Sequence, residues 1–136
     1  MRLLLDTHVL IWVAEGLSDV PETSRSAIDE AASTRGLAVS AISFWEVAML
    51  QARGRIALSM PVADWRGSVL AVPGMLEVDV SGDIAIESVH LPGRLHPDPA
   101  DRILVATARL RGMQLATRDG RLLDYGKAGH VVSIAV

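Results

Sequence analysis

The sequence predicts an α/β protein whose central, mostly parallel sheet is covered by helices on both faces. Short apolar segments alternate with longer segments of helical pattern, which is the arrangement expected of parallel strands joined by helical crossovers. The first apolar segment, Leu3–Leu5, is continuous rather than alternating, as in a strand buried on both faces. The 136 residues are 50% hydrophobic and contain no internal repeat or linker, so we expect a single domain over 1–136.

Local signals define the elements of the first half of the chain. Proline favours the first turn of a helix and glycine the position after its last turn, so Pro21 is expected to begin one helix and Gly54 to follow another. The mostly apolar run 37–42 predicts a second buried strand, and Ser43 is expected to begin the helix after it. The predicted elements, in order, are a strand over 2–6, helices over 7–14 and 21–33, a strand over 37–42 and a helix over 43–53.

The second half continues the alternation. Leu76, Val78 and Val80 alternate with acidic residues, which predicts a strand with one wetter face. Asp98 and Pro99 suit the N-cap and the first turn of the longest predicted helix. The predicted elements are a helix over 61–71, a strand over 75–80, helices over 83–89 and 99–111, a strand over 113–117, a helical turn over 121–125 and a strand over 130–135.

Acidic residues recur where predicted strands give way to helices. They are Asp6, Glu46, Asp101 and Asp119. The carboxyl ends of parallel strands meet at one edge of a sheet, where ligands bind, so these side chains are candidates to converge. Clustered carboxylates repel one another and their pKa values rise unless a cation neutralises them. Because oxygen donors without thiolates suit Mg²⁺ or Mn²⁺, the pattern indicates a candidate metal site.

Each of these acids also has a purely structural explanation. Glu46 could close a capping box with Ser43, although an unpaired carboxylate in its apolar surroundings would be costly. Asp101 is the third residue of a helix that Asp98 would cap, where a negative charge favours the helix dipole. The other two could be a helix cap and a turn residue: Asp6 ahead of Thr7, and Asp119 before Gly120.

Arginine dominates the positive charge. Twelve of the thirteen basic residues are arginines, and seven basic residues lie between Arg94 and Lys127. The planar guanidinium matches phosphate oxygens, so this region is either a phosphate-facing strip or a solvated surface. A net charge of −3 argues against a protein that coats nucleic acid in general.

Histidine and tryptophan give weaker signals. The histidines lack the spacing of a zinc site on one helix face. His96, beside Asp98, could touch a substrate but is interpreted as a turn residue. The tryptophans are interpreted as core or interface residues: Trp12, Trp45 and Trp65.

The sequence carries no sign of a membrane segment. Asp6 interrupts the first apolar run, and no apolar stretch approaches the roughly 20 residues that span a bilayer. Cysteine is absent, which fits a reducing compartment, so we expect a cytoplasmic protein.

Four blocks of sequence occur in a recognisable order and spacing. They are Leu4–Trp12, Ser40–Val47, His96–Ala108 and Leu115–Asp119. Together they resemble the PIN-domain family, and within it the VapC-type toxins of prokaryotic toxin–antitoxin pairs. The resemblance runs essentially from end to end.

The resemblance implies a three-layer α/β/α fold and an endoribonuclease that depends on Mg²⁺ or Mn²⁺. It assigns both metal binding and catalysis to four acids, Asp6, Glu46, Asp101 and Asp119, with Asp6 and Asp101 as the expected direct ligands. It gives possible supporting roles to four further residues: hydroxyl hydrogen bonds from Thr7 and Ser43, a less direct role for Asp98, and a phosphate contact or a solvent-facing ion pair for Arg102.

The resemblance also implies partners. They are an RNA substrate, a cognate antitoxin protein and a second copy of the chain in a homodimer. We expect the apolar helices around Trp12, Trp45–Met49 and Trp65 to supply the self-association surface and a groove for an antitoxin segment.

Two other functions fit the sequence less well. A non-catalytic PIN-like scaffold could hold a protein partner in its cleft, but the intact acids argue against it. A phosphoacceptor receiver domain would need an acidic cluster directly after its first strand, whereas Asp6 stands alone before Thr7 and His8.

Overall fold

The computed structural model describes residues 1–16 and 20–136. At its centre is a five-stranded sheet in which every described pairing is parallel. The strands are β1 Leu3–Leu5, β2 Leu37–Ser40, β3 Met75–Val78, β4 Gln114–Thr117 and β5 Ser133–Ala135. Their order across the sheet is β3-β2-β1-β4-β5, so the first strand in the sequence is the central one. The predicted parallel sheet is confirmed.

Helices cover both faces of this sheet. They are α1 Thr7–Glu15, α2 Glu22–Thr34, α3 Ala41–Ala52, α4 Val62–Leu70, α5 Gly82–Val89, α6 Pro99–Arg111 and α7 Gly120–Lys127. Successive strand residues point to opposite faces, so Leu3 and Leu5 pack among α1 to α4 while Leu4 packs among α5 to α7. Burial of each of these leucines contributes about 1.5–3 kcal/mol to stability. The result is the three-layer α/β/α arrangement.

One helix begins earlier than predicted. α3 starts at Ala41, because β2 ends with the Ser40–Val78 pair and the Ser40 hydroxyl then accepts the Ile42 amide at 3.1 Å. Ser43 therefore lies inside the first turn and is not the N-cap. The capping box proposed for Ser43 and Glu46 is wrong.

The edge strand β3 also differs from its pattern. The alternation predicts Leu76 and Val78 on a dry face, but Leu76 is 41% exposed while Val78 packs with Ile84 of α5. On the other face, Glu77 pairs with Arg66 of α4 at 2.6 Å. On the face that carries Leu76 and Val78, only the end of β3 nearest α5 is covered, so alternation alone overestimates burial at a sheet edge.

The predicted helical turn near the C-terminus is a full helix, α7, and the last strand is shorter than predicted because it begins at Ser133. In the part of the chain that the structure describes, no helix has the length and apolar character needed to cross a membrane.

Candidate active site

The four predicted acids lie along one edge of the sheet. Asp6 directly follows β1, and Asp119 comes two residues after β4. Glu46 lies on α3, which leaves the end of β2, and Asp101 lies in the first turn of α6, which packs against α3. Because β2, β1 and β4 are neighbours, their carboxyl ends bring these residues into one region.

Asp6 has a buried carboxylate with one strong partner. It is 5% exposed, and the Thr117 hydroxyl donates a 2.7 Å hydrogen bond to its Oδ2. Although Asp6 occupies the N-cap position of α1, its side chain makes no capping hydrogen bond. Burial raises the pKa of Asp6 and the charge of Asp119 adds to this, while the Thr117 hydrogen bond and His8 oppose the rise. The Asp6 carboxylate therefore bonds Thr117 at the edge of the sheet and does not cap α1.

Glu46 has the buried hydroxyl of Thr7 as its partner. The Thr7 hydroxyl donates a 2.9 Å hydrogen bond to Ser43 Oγ, which is also buried. Burial raises the pKa of Glu46, and the charges of Asp101 and Asp6 raise it further, while a hydrogen bond with Thr7 lowers it. Thr7 therefore contacts Glu46 directly and Ser43 contacts it only through Thr7, while their supporting roles stay a prediction.

Asp101 is held from two sides. Its backbone N–H donates to Asp98 Oδ1 at 3.0 Å, which makes Asp98 the N-cap of α6 as predicted. Its Oδ2 lies 2.6 Å from His96 Nε2. Burial raises the pKa of Asp101, as do the charges of Asp6 and Asp98, while the His96 hydrogen bond lowers it. Asp101 therefore lies in the capped first turn of α6 and also belongs to the acidic cluster.

Asp119 is the most solvated of the four acids. Its Oδ1 accepts the Arg121 backbone N–H at 2.8 Å, so it caps α7 and is more than a turn residue. Its Oδ2 pairs with the Arg121 guanidinium at 3.0 Å. These Arg121 contacts hold the pKa of Asp119 below its usual value.

The structure brings three candidate ligand side chains closest together. His96, Asp101 and Asp119 can each place one ligand atom so that all three lie within 4.8 Å of one another. Asp6 raises the pKa values of both Glu46 and Asp101, so all four acids belong to one electrostatic cluster.

Two residues of this region were not anticipated in these roles. His96 was interpreted as a turn residue, yet it contacts Asp101, and its buried Nδ1 has no hydrogen-bond partner among the described residues. Thr117 was placed only in a strand. The sequence signal for Thr117 is a hydroxyl residue at the end of a strand, two residues before an acid. In the structure its hydroxyl donates to Asp6 and accepts the backbone N–H of Asp119.

Arg102 is held by backbone carbonyls, and its phosphate contact stays a prediction. Its guanidinium donates to the carbonyl of Ser88 at 2.8 Å, to that of Leu95 at 2.9 Å and, more weakly, to that of Val89 at 3.4 Å. Three of the five guanidinium N–H groups are thus bonded to backbone carbonyls, and Arg102 forms no ion pair among the described residues. These bonds tie the end of α5 and the residue before His96 to the start of α6.

Known proteins resemble this chain along most of its length. The PIN domain family model matches residues 3–128. Ribonuclease VapC22 of Mycobacterium tuberculosis is 36% identical over 122 residues, which are 90% of each chain.

Solved structures share the fold. The crystal structure of VapBC2 from Rickettsia felis bound to a promoter DNA fragment matches with a TM-score of 0.70 at 13% identity, covering 99% of this chain and 98% of that one. FitAcB from Neisseria gonorrhoeae matches with a TM-score of 0.63 at 21% identity, covering 98% and 96%. With the family model spanning most of the sequence and a relative at 36% identity, the chain belongs to the PIN-domain family.

Proposed function

We propose that this protein is an endoribonuclease that hydrolyses RNA phosphodiester bonds and acts in the cytoplasm as the toxin of a toxin–antitoxin pair. The observation that carries the proposal is the cluster of four carboxylates at one sheet edge, three of which have raised pKa values. A relative named as a ribonuclease, 36% identical over nearly the whole chain, supports the same chemistry.

We further propose that the acidic cluster holds Mg²⁺ or Mn²⁺. The residues fit such an ion because burial and mutual repulsion disfavour the charged carboxylates of Asp6, Glu46 and Asp101, and a divalent cation relieves both. With Asp119 they form an oxygen donor set without thiolates, which these ions prefer. When bound, the ion supplies Lewis-acid polarisation of the phosphoryl group and lowers the pKa of the attacking water.

The surrounding side chains would hold this donor set in position. Thr117 fixes Asp6 through a 2.7 Å hydrogen bond, and His96 fixes Asp101 through a 2.6 Å contact. Arg121 orients Asp119. Partial burial lowers the local dielectric constant, so these carboxylates would attract a divalent cation more strongly than they would in bulk water.

RNA cleavage should require Mg²⁺ or Mn²⁺ and stop after chelation. The metal should also stabilise the fold, by about 2.7 kcal/mol when its free concentration is 100 times its Kd. Because the three raised pKa values mean that the folded state binds protons more tightly than the unfolded chain, the metal-free protein should lose stability as pH rises above about 4. Added metal should reduce that loss.

The test combines cleavage of labelled RNA with thermal unfolding across pH, with and without chelator. Cleavage that survives exhaustive chelation would rule out the metal mechanism. A protein that cleaves no RNA with either ion would favour the non-catalytic scaffold instead.

We also propose an antitoxin partner, since structural relatives include toxin–antitoxin complexes. A cavity of about 190 Å³ between α1 and α4 is lined by apolar side chains that include Val13, Met60 and Val72. Trp65 also lines it, and its buried Nε1–H has no partner among the described residues. An amphipathic segment in this groove would cover the apolar lining.

Val13→Glu should weaken binding of the protein encoded by the adjoining reading frame by roughly 100-fold or more, because an unpaired carboxylate would be buried in the groove. RNA cleavage should be unchanged. Val132→Glu is the matched control, since Val132 is also exposed but lies outside the groove. Co-expression followed by sedimentation measures the complex, and equal binding by both variants would place the antitoxin elsewhere.

A homodimer is the remaining partner proposal. Trp45 on α3 is 54% exposed, and α5 exposes Ile86 and Val89. Both helices pack against α6. The same sedimentation experiment records the mass of the free protein and so tests self-association.

A further inference from the structure

One arginine next to Asp119 in the sequence lies over a tryptophan ring. Arg118 lies between Thr117, which bonds Asp6, and Asp119. Its side chain is exposed, and its Cζ lies 4.5 Å from the centre of the Trp12 ring. Trp12 is partly buried against the core on α1, the helix that follows Asp6.

Most other arginines between Arg94 and Lys127 have guanidinium groups that bond carbonyls or carboxylates of the protein. Arg102 donates to backbone carbonyls, and three others pair with carboxylates: Arg109 with Glu87, Arg111 with Asp83 and Arg121 with Asp119. Arg118 makes no ion pair with a carboxylate among residues 1–16 and 20–136. Arg118 is therefore a cation next to Asp119 in the sequence, without a carboxylate partner in the part of the chain that the structure describes.

The contact with Trp12 orders the Arg118 side chain before any ligand binds. Attraction to the indole face restricts the arginine side chain, while the N–H donors in the guanidinium plane remain free. Less side-chain freedom is then lost on binding, and the planar donors match two phosphate oxygens at once.

We propose that Arg118, held over Trp12, binds a phosphate of the RNA strand next to the bond that is cleaved. This inference rests on the proposed ribonuclease function. A polyanion that approaches four carboxylates is repelled, and an arginine one residue from Asp119 offsets that repulsion where the strand must pass. Trp12 is a positioning residue that acts through Arg118.

The test measures binding of a short single-stranded RNA over a series of salt concentrations, in an Asp101→Asn background that does not cleave. Arg118→Gln should weaken binding about tenfold at low salt and reduce the slope of log K against log salt by about 0.7, the value for one phosphate contact on a single strand. In the cleaving protein, the same change should raise KM and leave kcat close to the parental value.

Arg53→Gln is the matched control. It removes the same charge from an exposed position at the far end of α3, about 18 Å along the helix axis from its start at the sheet edge. Its affinity and salt slope should equal those of the parent. Trp12→Phe should keep most of the affinity, whereas Trp12→Leu should lose about threefold because the aromatic face is gone.

The outcomes separate the two proposals. An unchanged salt slope in Arg118→Gln, with cleavage by the parent, would overturn the phosphate contact and leave the ribonuclease standing. A parent that neither binds nor cleaves RNA would overturn both. If Arg118→Gln weakens only the antitoxin complex, the guanidinium binds a protein carboxylate and the RNA contact is wrong.

Discussion

Replacing Asp101 by asparagine should nearly abolish RNA cleavage while leaving the protein folded. As the third residue of α6, the Asp101 charge contributes only about 0.3–1 kcal/mol through the helix dipole. Asparagine keeps the size of the side chain, and the cap contact to Asp98 comes from the backbone and is unaffected. Loss of the charge also relieves repulsion with Asp6, so the metal-free melting temperature should be equal or higher.

Cleavage should fall by more than about 100-fold, since even residues that only support metal ligands commonly affect activity by 10 to 100-fold. Asp6→Asn should behave in the same way. Asp83→Asn is the control, because Asp83 is an exposed acid on α5 that pairs with Arg111 and lies outside the acidic cluster. If Asp101→Asn cleaves RNA at close to the parental rate, Asp101 is only a helix-start residue.

Replacing Arg102 by methionine should reduce both stability and turnover. Methionine retains an unbranched, flexible stem but removes the donors to Ser88, Leu95 and Val89, of which the first two bonds are partly buried. The free energy of unfolding should fall by about 2–4 kcal/mol. Because Leu95 precedes His96, the contact with Asp101 should loosen, and kcat should fall more than about tenfold.

Urea denaturation and steady-state kinetics measure the two effects. Arg111→Met provides the comparison, since it loses a more exposed ion pair whose contribution to stability is small. A variant of Arg102 with unchanged stability but weaker RNA binding would instead support the phosphate contact expected from the sequence.

The general architecture was predictable because its signals are local. Leu3–Leu5 is a continuous apolar run, and Gly112 directly follows the longest helix, so both elements could be placed without tertiary information. The start of α3 was not predictable in this way, because Ser40 and Ser43 can both cap a helix. The choice depends on where β2 stops pairing with β3, which is a property of the assembled sheet.

The acidic cluster was predictable for a topological reason, since parallel strands deliver their carboxyl ends to one edge. The hydrogen-bond partners of the acids could not be predicted in this way. His96 meets Asp101 in a segment whose preceding residue, Leu95, is bonded by Arg102, and Thr117 meets Asp6 across 111 positions of sequence. Arginine can donate to carbonyls and to phosphates. Only the folded structure therefore shows that Arg102 bonds backbone carbonyls whereas Arg118 lies over Trp12.

The position of β1 between β2 and β4 has a consequence for synthesis of the protein. Asp6 leaves the ribosome first, but its neighbouring strand ends at Thr117 and the last acid of the cluster is Asp119. A nascent chain that stops before residue 114 has neither the strand that closes the central sheet nor the hydroxyl that satisfies the buried carboxylate. We therefore expect a chain that ends before residue 114 to lack nuclease activity, because its Asp6 carboxylate has no Thr117 partner and its acidic cluster lacks Asp119.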